Sequence, residues 1–234
     1  MTRSPFSRLR ALVIVSIVSV ALLASGCAQG GSNEASTGGA SAPPTQAAGA
    51  ASGKPSGGPA SAKPEPTGPV TDWATVTADA SSLSFSAPAD WSAYNTFDDT
   101  TNQEIANHLE TDVTSIQNST RLMDLMTLAP ARDDLGVMEG VFCMKLTLPL
   151  DATTIESTVR KSASNSGGNV DVFTSTESAN GTVYYGIVSS PDNYALVGHV
   201  YLPNSSGSYV TTYIYASSTE RLQALISSVA TTLR

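Results

Sequence analysis

The sequence predicts an α+β domain in which helices pack on a central, largely antiparallel β-sheet. Two observations lead to this fold class. Four segments of alternating apolar residues between positions 169 and 216 are joined by short turns, and three amphipathic segments lie between or after the strands. Sequential hairpins form antiparallel pairs, and helices inserted around such a sheet form layers on it. The expected order of elements is β, α, β, β, α, ββββ, α.

The strands are predicted from period-two alternation and from the turn residues that end each run. They are expected at residues 83–87, 121–129, 137–148, 169–176, 182–189, 195–202 and 208–216. In the third, alternation places Leu146 on the same face as Phe142, Met144 and Leu148. Asn180-Gly181 is typical of a type I′ hairpin turn.

Three capping boxes, in which a hydroxyl residue precedes an acid by three positions, predict where helices begin. The pairs are Thr101 with Glu104, Thr153 with Glu156, and Ser217 with Glu220. The first predicted helix carries one apolar stripe from Ile105 to Ile116, and the last has the strongest amphipathic pattern in the chain.

The N-terminus predicts export. Three arginines precede a 14-residue uncharged stretch, residues 11–24. This stretch is shorter than the roughly 20 apolar residues of a membrane span and fits a signal peptide. Leu23-Ala24-Ser25-Gly26-Cys27 resembles the lipobox of bacterial lipoproteins. The resemblance implies removal of a signal peptide (1–26) and lipid attachment at Cys27, which would place the protein on the outer face of the membrane. The alternative is an ordinary secretory peptide with a chance cysteine.

Residues 27–70 are expected to form a disordered tether that joins the lipidated cysteine to a single domain, residues 71–234. Of residues 28–70, 35 are Ala, Gly, Pro, Ser or Thr, and none is aromatic. Such a segment cannot bury enough apolar surface to offset the entropy of ordering it. We therefore expect one anchored domain on a tether, whose glycosylation the sequence does not determine.

The charge balance excludes some partners. Twelve Lys and Arg against 20 Asp and Glu give a net charge of −8, which disfavours a nucleic-acid binder. After Cys27 the chain keeps nine of its bases and all the acids, a net charge of −11. Anionic lipid would repel such a domain, so the tether is expected to hold it away from the bilayer. Two cysteines and two histidines leave little material for a metal centre, and no metal or cofactor is expected.

The order of elements resembles the PsbP-like fold, an α/β sandwich, and within it the LpqN-type lipoproteins of actinobacteria. The likeness is carried by the turn Pro88-Ala89-Asp90-Trp91, the four strands from Asn169 to Ala216, and the terminal helix from Thr219 to Arg234. The lipobox and the tether match as well. The resemblance implies a non-enzymatic envelope protein whose fold serves as a binding platform.

The sequence contains few candidates for catalysis. Cys143 could act as a nucleophile with His199 as its base, but no Cys-protease pattern surrounds it, and a half-buried strand residue is the simpler interpretation. His199 and His108 lack metal-ligand spacing. The acid pairs Asp98-Asp99 and Asp133-Asp134 are expected to be solvated loop charges. No nucleophile elbow, dinucleotide fingerprint or P-loop is present, so we do not expect an enzyme.

Tyrosine is the unusual feature of this composition, since seven of eight tyrosines fall between positions 184 and 215. Tyrosine offers apolar area and a polar tip, which suits a wall that binds a glycan, lipid or peptide. The candidate ligand-binding residues are Tyr185, His199, Tyr201, Tyr213, Tyr215 and Trp91. The alternative is aromatic pairing across strands under a helix, with Trp91 filling the sheet edge.

The sequence therefore predicts a membrane-anchored envelope lipoprotein, monomeric, with a non-catalytic domain that binds an envelope lipid or glycolipid. One alternative is a surface assembly factor that binds proteins and has no small-molecule pocket. Another is an envelope hydrolase that uses carboxylates whose pairing the sequence does not reveal.

Overall fold

The computed structural model describes residues 72–190 and 193–234. The predicted signal peptide (1–26), Cys27 and the tether (27–70) lie outside the described residues. Every helix within the described residues falls short of the length and apolar character that a membrane span requires.

Within this part of the chain, nine strands and four helices follow one another. The strands are β1 (Trp73–Ala78), β2 (Leu83–Pro88), β3 (Ser92–Tyr94), β4 (Met123–Leu128), β5 (Gly140–Leu148), β6 (Asn169–Ser178), β7 (Gly181–Ser190), β8 (Asn193–Pro203) and β9 (Tyr209–Ala216). The helices are α1 (Asp99–Leu109), α2 (Val113–Thr120), α3 (Ala152–Asn165) and α4 (Thr219–Thr232).

The predicted α+β class is confirmed. Seven strands form one sheet in the order β3-β4-β5-β9-β8-β7-β6, and β1 and β2 form a separate hairpin. All pairs of neighbouring strands are antiparallel. The predicted meander from β6 to β9 is present, and β5 pairs with β9, which places β9 near the middle of the sheet.

The two faces of the sheet carry different layers. Helix α4 and the β1–β2 hairpin pack on one face, against the buried side chains of Val200, Val210 and Ile214. Helices α1 and α2 pack on the other face beside Phe142, and α3 packs farther along it beside Val188. Neighbouring residues of a strand point to opposite faces. The side chains that alternate with those facing α4 therefore face α1, α2 and α3.

The predicted helix starts at Thr101, Thr153 and Ser217 are wrong by one to three residues. The N-caps are Asp98, Asp151 and Ser218, and the side chain of each accepts a hydrogen bond from the backbone N–H three residues later, at 2.8, 2.7 and 3.2 Å. Aspartate caps a helix at least as well as threonine. In α1 and α3 an aspartate that precedes the threonine is the N-cap, so both helices begin earlier than predicted.

The apolar stripe from Ile105 to Ile116 belongs to two helices rather than one. Glu110 ends α1 in the left-handed conformation with φ of 55°. Asp112 then caps α2, because its carboxylate accepts from the backbone N–H of Ser115 at 2.9 Å and from its hydroxyl at 2.6 Å. A break of this kind leaves the spacing of apolar residues intact, so periodicity does not reveal it.

The hairpin between β6 and β7 is confirmed, but its predicted type I′ turn is wrong. Ser178 pairs with Gly181, so the central residues are Ala179 and Asn180. Neither has a positive φ, which a type I′ turn requires at both positions. Gly181 itself has φ of 123°, and the hydroxyl of Ser178 donates to its carbonyl oxygen at 2.7 Å.

The prediction that Leu146 lies on the buried face with Phe142 is also wrong. The register between β5 and β9 shifts between Cys143 and Thr147, and Leu146 is 54% exposed. A bulge lets consecutive residues leave the normal alternation. Strands β1 and β3 were not predicted, and β3 contains only three residues.

Candidate functional site

Pairing across the centre of the sheet brings four of the six predicted ligand-binding residues onto one face. Tyr213 of β9 pairs with His199 of β8 and, on its other side, with Phe142 of β5. Tyr215 and Tyr201 lie two residues away from Tyr213 and His199, respectively, and so share their face. We call His199, Tyr201, Tyr213 and Tyr215 the tyrosine–histidine cluster.

The cluster lies where two helical layers meet. Tyr213 and Tyr215 belong to the apolar cluster beneath α1 and α2, whereas Tyr201 belongs to the one beneath α3. Gly186 of β7 pairs with His199, and a Cβ atom built there would lie 2.6 Å from Cγ1 of Val159 in α3. A glycine at this position therefore lets α3 approach the sheet beside His199.

Ring contacts fix the orientation of the aromatic side chains. His199 and Tyr213 form an edge-to-face pair with ring centroids 5.0 Å apart, and Phe142 and Tyr215 form another at 5.2 Å. Edge-to-face pairs at these distances are favourable beyond the area they bury. The rings are thus held in place by their neighbours, while their polar atoms are left for other contacts.

The side chains of the cluster are nearly buried, and their polar atoms have no hydrogen-bond partner among the described residues. The exposed fractions are 5% for His199, 3% for Tyr201, 8% for Tyr213 and 7% for Tyr215. Among residues 72–190 and 193–234, no hydrogen bond satisfies the imidazole or the three hydroxyl groups. In the same residues, the one unpartnered buried side-chain nitrogen or oxygen that is fully sealed is Nη1 of Arg221. The polar atoms of the cluster therefore keep some contact with solvent.

Burial also determines the charge of the cluster. It lowers the pKa of His199 from its usual value of 6.5 to about 4 and raises that of Tyr201 to about 12. The pKa values of Tyr213 and Tyr215 are raised too, by burial first and, for Tyr213, by the neighbouring Tyr201 and Tyr215. No charged side chain of the described residues contributes to these shifts. At neutral pH the cluster is uncharged.

The expectation that Tyr185 joins this face is wrong. Tyr185 pairs with Val200, whose side chain is in the core beneath α4, and Tyr185 packs against that core. Its neighbour Tyr184 pairs with Tyr201 and takes the place predicted for Tyr185. The ring of Tyr184 lies 5.8 Å from that of Tyr209, which extends the aromatic face toward the end of the sheet.

Trp91 also lies away from the cluster, in the core on the α4 side. It is buried there, which agrees with the alternative interpretation that Trp91 fills the sheet edge beside the turn. The guanidinium of Arg221 lies 5.9 Å from the centre of its ring, and Nε of Arg221 is 2.9 Å from a carboxylate oxygen of Glu139. Trp91 therefore packs under an ion pair that joins α4 to the sheet.

The other chemically reactive candidates have structural contacts. Cys143 lies on the α4 face, opposite to His199, with its sulfur 3.2 Å from the hydroxyl of Thr212. Burial raises the pKa of the Cys143 thiol to about 12, so it is protonated at neutral pH. The Cys143–His199 pair considered from the sequence is therefore separated by the sheet.

His108 and the acid pairs likewise meet backbone groups. Nε2 of His108 lies 2.8 Å from the carbonyl oxygen of Ala129. Asp98 caps α1, and Asp133 accepts from the backbone N–H groups of Leu135 and Val137 at 2.9 and 2.8 Å. No group of three or more His, Cys, Asp or Glu side chains in the described part of the chain is placed to hold a metal ion.

No protein-family model matches the chain, and no curated protein matches its sequence.

Proposed function

We propose that this chain is a lipid-anchored envelope protein whose domain binds an envelope lipid or glycolipid and catalyses no reaction. The observation that carries the proposal is the tyrosine–histidine cluster, with four polar groups that are nearly buried and have no partner among the described residues. These polar atoms reach solvent over only a small area of each side chain. A molecule that supplies hydrogen bonds to several of them at once can replace the water there.

The chemistry of the cluster favours an uncharged, hydroxyl-bearing group. Tyrosine hydroxyls and a neutral imidazole both donate and accept hydrogen bonds. A charged group brought to this site would lose its hydration without meeting a counter-charge, which is costly in a buried environment. The aromatic rings add apolar area for a sugar ring or an acyl chain.

Three features of the described residues support a binding role rather than a catalytic one. Cys143 is sealed on the far face, and its thiol is protonated. The ring of His199 contacts that of Tyr213, and burial raises the pKa of the Tyr213 hydroxyl, which makes it a poorer nucleophile. The carboxylates of Asp98 and Asp133 are engaged by backbone N–H groups.

The anchor and the family remain part of the proposal. The lipobox-like sequence that ends at Cys27 supports lipid attachment and an extracytoplasmic location. An antiparallel sheet with a terminal helix on one face is in keeping with the resemblance to LpqN-type, PsbP-like proteins.

Native mass spectrometry tests this function. The full chain is produced with export in an actinobacterial host, and its mass is compared before and after solvent extraction. We expect a defined adduct that is lost or reduced in Tyr213→Phe and Tyr201→Phe, which remove one hydroxyl each and keep the ring. Tyr194→Phe is the matched control, because Tyr194 is 69% exposed and lies outside the cluster. An adduct-free mass, or an adduct that all three variants retain equally, contradicts ligand binding at the cluster.

A further inference from the structure

Two tyrosine rings form a pair near the end of the sheet where β7 and β9 begin. Tyr184 and Tyr209 are half-buried, and their ring centroids are 5.8 Å apart with an angle of 58° between the planes. Both pack against the apolar cluster beneath α3 and lie outside the tyrosine–histidine cluster. The two rings therefore form a small aromatic surface that the helices leave partly open.

An acidic side chain borders this surface. Glu177 of β6 is exposed, pairs with Thr182 of β7, and accepts a hydrogen bond from its hydroxyl at 3.0 Å. Thr182 lies two residues before Tyr184, so these side chains share a face. The pKa of Tyr209 is raised by its partial burial first, and then by Tyr184 and by Glu177, so the carboxylate lies near this ring. We call Tyr184, Tyr209 and Glu177 the aromatic rim.

The end of the predicted tether, which lies outside the described residues, has a sequence that suits such a surface. Residues 63–69 place Lys63, Pro66 and Pro69 at three-residue spacing. A polyproline II helix has three residues per turn, so these three side chains would line one edge and Glu65 another. Proline-rich segments of this kind dock in aromatic-lined grooves, because they are extended before they bind and lose little entropy.

The spacing of charge and ring agrees between the two partners. Glu177 lies one strand across and two residues along from Tyr184, which corresponds to about 8 Å between their Cα atoms. In a polyproline II helix, Lys63 and Pro66 are about 9 Å apart. A lysine at Glu177 and a proline at the two rings can therefore be accommodated together.

The segment of the same molecule falls short of the rim. The carbonyl oxygen of Asp72 accepts from the backbone N–H of Ala89 at 3.1 Å, and β3 begins three residues later in the row of the sheet that contains Tyr215. Tyr209 lies about 20 Å farther along β9 and on the face opposite to the β1–β2 hairpin. Pro69 is within about 11 Å of Asp72, because only three residues separate them.

We propose that the aromatic rim docks residues 63–69 of a second copy of this chain, with Pro66 against the two rings and Lys63 against Glu177. The predicted domain carries 18 acids and seven bases, so a lysine is attracted to its surface. Each copy has one rim and one such segment, so the contact is head-to-tail and joins copies into rows. The monomer expected from the sequence would then be only the building unit. Ligand binding at the tyrosine–histidine cluster is not required for this contact.

Fluorescence anisotropy with a labelled peptide of residues 61–71 tests the docking. The full chain is held in phosphatidylcholine nanodiscs at one copy per disc, and empty nanodiscs are the blank. We expect the peptide to bind, and the Pro66→Ala, Pro69→Ala peptide to bind about tenfold more weakly because its apolar anchors are lost. Glu177→Lys in the protein should weaken binding roughly three- to tenfold, as fits reversal of one exposed ion pair.

The controls separate the rim from net charge and from other occupants. Asp171→Lys, at an exposed position on the same strand, changes the net charge equally and should leave binding unaltered. Equal loss in Asp171→Lys, equal binding of both peptides, or no binding of either overturns the proposal. Ring signals of the two rim tyrosines that respond to an envelope lipid extract and not to the peptide overturn it in favour of the envelope ligand.

Contact between copies is measured by energy transfer between dyes at the C-termini of two full chains in one nanodisc. We expect the transfer to fall when both chains carry Pro66→Ala and Pro69→Ala. Unchanged transfer in this variant overturns docking between copies, even if the isolated peptide binds.

Discussion

Acidification from pH 7 to pH 4 should destabilise the domain through one side chain, His199. In the unfolded chain this histidine takes up a proton near its usual pKa of 6.5, whereas burial holds its pKa in the folded domain at about 4. The folded state therefore binds fewer protons between these two values. The stability due to neutral His199 is complete above pH 6.5, falls as the pH decreases, and is lost by about pH 4.

The size of the effect follows from the two pKa values. The interval between 6.5 and about 4 corresponds to a loss of about 3 kcal/mol at 1.36 kcal/mol for each pH unit. This is a substantial part of the 5–15 kcal/mol that holds a typical domain together. The helix-capping carboxylates do not obscure it, because the pKa values of Asp98, Asp112 and Asp151 are lowered from 3.8, and these groups titrate at more acidic pH.

Urea denaturation at a series of pH values measures the effect. The free energy of unfolding of the wild type is compared with that of His199→Gln, which cannot titrate in this range, and with His108→Gln as the matched control. We expect the wild-type and His108→Gln curves to fall together between pH 6.5 and pH 4, and the His199→Gln curve to remain nearly flat. A wild-type curve parallel to that of His199→Gln would refute the burial of a neutral imidazole.

Three further predictions concern other parts of the fold. Gly186→Ala should destabilise the domain by about 1–3 kcal/mol in urea denaturation, because the new methyl group would clash with the buried, β-branched Val159; an unchanged midpoint would contradict this packing. Asp124→Ala should cost about 3 kcal/mol in thermal or urea unfolding, because the carboxyl accepts from two backbone N–H groups and from the hydroxyl of Ser81 at 2.6–2.9 Å; a loss below about 1 kcal/mol would contradict it. Cys143 should resist alkylation at pH 8 until the domain unfolds, and rapid labelling of the native protein would show that its thiol is accessible.

Most of the sheet could be predicted from local patterns. The meander from β6 to β9 follows from alternation between short turns, and α4 follows from its apolar stripe. Where a helix begins or ends depends on which of several nearby residues caps it. Asp151 displaced Thr153 as an N-cap, and the left-handed Glu110 split a helix whose apolar spacing continues across the break.

The candidate site could be predicted only in part. Residues two apart on one strand share a face, so the sequence predicts that Tyr213 and Tyr215 lie together, and the structure confirms it. The choice between Tyr184 and Tyr185 depends on the pairing register of β7 with β8, and a slip by one residue exchanges the faces. Trp91 precedes β3, and its position depends on contacts with Arg221, far away in the sequence.

Ligand binding at the tyrosine–histidine cluster is tested most directly by NMR of the tyrosine rings. The full chain, with labelled tyrosine in phosphatidylcholine nanodiscs, is titrated with a total lipid extract of the cell envelope. We expect the ring signals of Tyr201, Tyr213 and Tyr215 to shift together, while those of Tyr185, on the α4 face, and of Tyr194 stay in place. Unchanged signals at all five tyrosines, or shifts confined to the exposed Tyr194, would contradict it.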